Sequence, residues 1–156
     1  MLFRSREGDT EQNSYITDDF SIWHPEDWYP YEFENSVLFS HDPDLEFPGA
    51  TEGYALAPWI QVAIQEVDIE TMFEQNLWTE GSEMLVSKET ARIRNEEVIK
   101  VITNAAGAGG QLLNYVFEST DGRVFTVSIY PYEPGTPDTD DFEQMAHSFM
   151  INYVVE

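Results

Sequence analysis

The 156 residues are 42% hydrophobic and 14% aromatic, with no cysteine. That is one domain able to bury a core without staples, and it excludes a disulfide scaffold, a Cys-ligated zinc module and an iron–sulfur protein. Thirty Asp and Glu against seven Lys and Arg give a formal net charge of −23, a field that repels phosphate backbones and anionic membrane surfaces but attracts cationic partners and divalent ions.

Nucleic acid is therefore excluded as a partner, and stability should rise with ionic strength. No apolar run reaches the length of a membrane-spanning helix. The N-terminus, Met1 to Glu7, lacks the apolar centre of a signal peptide. The expectation is a cytoplasmic chain or one that has lost its targeting segment.

Residues 1–13 are polar and unpatterned and read as a tether, with the folded domain over 14–156. Tyr15-Ile16 is a short strand, Asp18-Asp19 a turn, and Phe20 to His24 the next strand, stopped by Pro25. Val37 to Phe39 is β-branched and aromatic, a third strand. The segment 41–58 carries three prolines and two glycines and is long for a loop. Ile60, Val62 and Ile64 alternate with Gln61, Ala63 and Gln65, a half-buried strand.

Asp68 can cap a helix from Ile69 to about Trp78, with Ile69, Met72, Phe73 and Leu77 on one face and Gly81 as the stop signal. Strands are predicted at Met84–Val86, Thr90–Ile93 and Val98–Thr103, the last two joined by a turn at Asn95-Glu96. Ala105 to Gly110 is a small-residue loop. It lacks the Gly-Lys-Ser/Thr ending of a phosphate loop. Leu112–Glu118 and Arg123–Tyr130 form a hairpin through Asp121-Gly122. Thr136 or Asp138 caps a last helix whose Phe142, Met145, Ala146 and Phe149 share one face. Strands joined by tight turns argue for an antiparallel sheet, and two amphipathic helices need a sheet to cover. The fold class is α+β, with the economical arrangement one sheet and helices packed on its faces.

The run Asp19-Phe20-Ser21-Ile22-Trp23-His24-Pro25-Glu26-Asp27-Trp28 resembles the opening motif of the PsbP-like domains. These are relatives of the extrinsic PsbP subunit of photosystem II, of bacterial lipoproteins and, more remotely, of the Mog-type Ran-binding proteins. Phe142 to Phe149 resembles the family's closing helix, and the similarity runs from about Tyr15 to Tyr153. Asp19 stands where Gly is usual, as an acid able to enter a positive-φ turn, and His24 where Tyr is usual. The resemblance implies an α/β/α sandwich, a central antiparallel β-sheet flanked by helices. It also implies a non-catalytic accessory domain that docks onto a protein partner or membrane-associated complex, often outside the cytoplasm and at times as a lipoprotein. It supplies no catalytic or cofactor-binding residue.

Chemistry is sparse. No Cys and no Gly-x-Ser-x-Gly is present, and the imidazoles are His24, His41 and His147. His24 reads as a packing residue and His147 as a half-exposed helix residue. The alternative to a docking role is a divalent-metal site, for calcium or manganese, in His41-Asp42-Pro43-Asp44-Leu45-Glu46. There His41, Asp42, Asp44 and Glu46 supply an imidazole and alternating oxygens. Trp23, Phe47, Tyr54 and Trp59 are the aromatic candidates for partner contact.

Overall fold

The computed structural model describes residues 13–44, 58–105 and 109–153. Its strands are β1 (Asn13–Ile16), β2 (Phe20–His24), β3 (Tyr29–Glu32), β4 (Ser36–Ser40), β5 (Trp59–Gln65), β6 (Leu85–Ile93), β7 (Glu96–Asn104), β8 (Gln111–Glu118), β9 (Val124–Tyr130) and β10 (Met150–Ile151). The helices are α1 (Ile69–Gln75), after β5, and α2 (Pro137–Ser148), after β9. Seven strands form one antiparallel sheet in the order β3-β4-β5-β9-β8-β7-β6, and β1, β2 and β10 form a second, with β2 central. The mixed α+β class expected from the element order is what the structure has.

The period of two decides which side chains meet. On β9, Phe125, Val127 and Ile129 join a core with Leu113, Tyr115 and Phe117 of β8 and with Ile60 and Val62 of β5. Tyr15, Phe20 and Ile22 of the small sheet and Phe142, Met145, Ala146 and Phe149 pack into the same core. The intervening Val124 and Val116 join instead a second cluster with Val101, Met72 of α1 and Trp78. A third cluster holds Leu38, Trp59, Ala105 and Tyr130. Phe142, Met145 and Ala146 are fully buried, as their i, i+3, i+4 spacing predicts. Between the two predicted caps of α2, Thr136 is the one used: its hydroxyl accepts from the Thr139 N–H.

The motif residues have structural jobs. Phe20, Ile22 and His24 point inward from β2 while Ser21 and Trp23 are half-buried. Trp28 folds back onto the core, fully buried, and its indole N–H donates to Asp141 at 3.0 Å. His24 packs as an aromatic, its ring 5.1 Å from that of Phe39. Asp19 does not use a positive φ; it pairs with Arg123 Nη1 at 3.0 Å.

Several local expectations are corrected. Asn13 is not tether but opens β1, opposite His24; residues 1–12 lie outside the described residues. α1 ends at Gln75 rather than Trp78, and the stop is Leu77 at φ +62, not Gly81. The Trp78 N–H bonds Phe73 O and the Leu77 N–H bonds Glu74 O, a Schellman close with leucine in the glycine position. A left-handed leucine costs about 1–2 kcal/mol. Turning Trp78 down into the cluster with Met72 and Val101 offsets it.

The stretches Met84–Val86 and Thr90–Ile93 are one strand, β6, with a register irregularity between Leu85 and Ser87. Its hairpin turns at Arg94-Asn95, both at positive φ, one residue earlier than predicted. Tyr29–Glu32 and Met150–Ile151 are strands that were not predicted. The first lies at a sheet edge, where Pro30 is tolerated.

Candidate functional site

Two turns and the end of a central strand flank an open cleft of about 270 Å³. The β1–β2 turn is shaped by Thr17, whose hydroxyl accepts from the Asp19 and Phe20 N–H groups at 3.0 Å each. The β3–β4 turn is closed by Phe33 N–H on Ser36 O at 2.8 Å. It is tied to β5 by Ile64 N–H on Asn35 O at 2.9 Å. Tyr15, Phe20, Val37 and Ile64 supply the apolar lining; Asp19, Glu32, Phe33 and Glu34 supply the rest of the wall with Thr17, Asn35 and Ser36. Three of these residues are carboxylates and none is basic. Phe33 is 43% exposed while Tyr15 is buried.

The charges around the cavity are unequal. Asp19 is matched by Arg123, which also binds Asp121 and donates from Nη2 to Asn152 O at 2.9 Å. Glu32 accepts the Tyr15 hydroxyl through one carboxylate oxygen. Burial first, and then this bond to Glu32 and its charge, push the Tyr15 phenol far above its ordinary range, so it is a permanent donor. Asn35 Nδ2 donates to Glu66 at 2.6 Å, which brings a further carboxylate beside the turn. The arrangement can hold a positive group against carboxylates beside one exposed aromatic, Phe33.

Of the 41–46 segment, the described residues are 41–44. His41 follows β4 and lies on Trp28, ring centroids 3.8 Å apart. Its Nε2 is 2.9 Å from Asp138 Oδ1 in the first turn of α2, and its Nδ1 is 2.8 Å from Asp27 O. Both ring nitrogens therefore face oxygen acceptors. Burial lowers the imidazole's pKa, but the bonds and charges of Asp138 and Asp27 outweigh it, and the net shift is upward. Asp42 accepts the Asp44 N–H at 2.9 Å in a local turn, and its carbonyl takes the Tyr31 hydroxyl. Among the described residues, no three or more His, Cys, Asp or Glu side chains are grouped to hold a metal ion. Glu46, like Phe47 and Tyr54, lies outside the described residues.

Of the other candidates, Trp59 is buried in β5 with its ring 5.9 Å from Tyr130, and its indole N–H has no hydrogen-bond partner among the described residues. Trp23 is half-buried on β2, and its backbone N–H donates to Ser148 Oγ at 2.9 Å. His147 is exposed and bonds Glu143 O at 2.7 Å. Sequence reasoning missed the cavity altogether. Its available signal was Glu32-Phe33-Glu34-Asn35, an aromatic flanked by acids in a turn.

No family model matches the chain, and no curated protein matches it. It is similar to a solved structure from Bacteroides thetaiotaomicron, with 14% sequence identity and a TM-score of 0.55. The match covers 86% of this chain and 45% of that one, so the chain spans less than half of the length of that protein. At this identity the likeness concerns the fold alone. Among the described residues no helix is long and apolar enough to cross a membrane.

Proposed function

We propose that this chain is a PsbP-like α/β/α sandwich acting as a non-catalytic accessory domain that docks onto a protein partner. The observation that carries the docking reading is the cleft between the β1–β2 and β3–β4 turns. It joins an exposed aromatic, Phe33, to an acidic wall of Asp19, Glu32 and Glu34. Exposed aromatics beside a concave surface are common anchors, and a surface of one sign steers an oppositely charged partner. The sandwich reading draws support from two sources. Large-sheet residues of opposite parity pack with α1 and with α2. Phe20, Ile22 and Trp28, residues of the motif on which the resemblance rests, are buried in the core.

Photo-crosslinking in a cell extract at graded salt concentration tests it. A photoreactive phenylalanine analogue replaces Phe33 in one sample and Glu70, exposed on α1, in another. The expected result is a discrete protein adduct from position 33 alone, lost as salt screens the acidic wall. No adduct from position 33, or the same adducts from both positions, would refute a docking role for the cleft.

A further inference from the structure

Resting on the docking reading, we propose that the cleft receives the guanidinium of an arginine side chain presented by the partner. Size comes first. Drug-sized ligands occupy pockets of roughly 300–1,000 Å³. At about 270 Å³ this cavity suits one side-chain end rather than a folded ligand.

Sign comes next. Arg123 pairs with Asp19 but shares its one charge with Asp121, and Glu32 and Glu34 add two more carboxylates to the lining. Glu32 gives one oxygen to the Tyr15 hydroxyl and keeps the other for a second donor. An apolar occupant would strip water from these carboxylates without replacing its hydrogen bonds, and a neutral donor would replace the bonds but leave the charge uncompensated; a cation supplies both.

Shape then selects among cations. Phe33, 43% exposed at the rim, presents aromatic surface, while Tyr15 and Phe20 are buried in the floor. A planar, weakly hydrated guanidinium can stack on a ring while donating in its own plane to a carboxylate. An ammonium is a compact, strongly hydrated point charge that gains less from such walls.

Heteronuclear NMR of the full chain with Nα-acetyl-arginine amide, and with its lysine and citrulline counterparts, tests the proposal. Arginine should shift the amides of residues 17–20 and 32–37, lysine should do so more weakly, and neutral, isosteric citrulline should not. Glu34→Gln, in an exposed turn, and Glu32→Gln, which keeps an acceptor for Tyr15, should each weaken arginine binding roughly tenfold. Citrulline acting as arginine does, arginine shifts spread over the whole acidic surface, or unchanged affinity in both variants would overturn the proposal. Arginine binding at the cleft with no adduct from position 33 would overturn the docking reading alone. A position-33 adduct with no arginine response would overturn the cationic pocket alone.

Discussion

Raising the pH should loosen the contact between His41 and α2, and the structure sets the sign and scale. The Asp138 carboxylate and the Asp27 carbonyl oxygen both accept from the His41 ring, at 2.9 and 2.8 Å. Only the imidazolium has an N–H for each; the neutral ring must turn a lone pair toward one of them. The folded-state pKa is raised above the ordinary 6.5. Stability from this group is therefore fully present below 6.5 and is lost as the pH rises through the raised folded value.

A hydrogen bond to a charged group contributes about 1.5–3 kcal/mol. His41 and Asp138 are each about one-third exposed, at 34% and 36%. Solvent screening brings the expected loss down to about 1 kcal/mol. For a domain of this size that is a melting shift of roughly 2–4 °C. The assay is thermal unfolding of wild type and His41→Gln at constant ionic strength, between about pH 5.5 and about pH 8.5. The glutamine of the variant cannot titrate, so subtracting the two curves removes the contribution of other groups. The wild-type advantage should shrink as the pH rises. An advantage that stays constant, or one that grows with pH, would refute the assignment of an imidazolium bridging Asp27 and α2.

Phe149→Ala should be far more severe, at about 3–5 kcal/mol in urea unfolding with an unchanged m-value. Phe149 is 3% exposed and touches the rings of Phe20, Phe117 and Phe125; a loss under about 1 kcal/mol would mean that this core is not packed as described. At acid pH, Asp121 should matter. The Arg123 and Ser119 hydrogen bonds hold its carboxyl down at about 2. Its contribution is present above the ordinary 3.8 and is lost as the pH falls through about 2, so the stability gap between wild type and Asp121→Asn should narrow over that range. A gap that widens would contradict the sign. With a net charge of −23, the melting temperature should climb from low salt to about 1 M KCl as self-repulsion is screened. A flat response would show that the acidic surface is not a destabilising field.

Local chemistry alone determined much of this protein. The alternation on β5 and β9, the Asp121-Gly122 hairpin, and the i, i+3, i+4, i+7 face of Phe142 to Phe149 are each written within a dozen residues, because pleat and helix period act at short range. The strand Phe20–His24 and its stop at Pro25 were legible for the same reason. Tertiary structure decided the rest. The pair Met150–Ile151 is a strand only because it lies beside Ser21 and Phe20, more than a hundred residues away. Leu77 takes a left-handed turn because Trp78 has a buried cluster to enter. Tyr29–Glu32 pairs despite its proline because the edge of a sheet leaves one side unpaired.

The candidate site follows the same division. His41 was legible as a candidate metal ligand, but Asp138, the partner its ring meets, is 97 positions distant. The cleft joins a turn after Ile16, a turn after Glu32 and the end of β5, three stretches with no common sequence pattern. Sequence separation hides such a cavity because the relative placement of its walls depends on register and core packing, and these are properties of the assembled sheets.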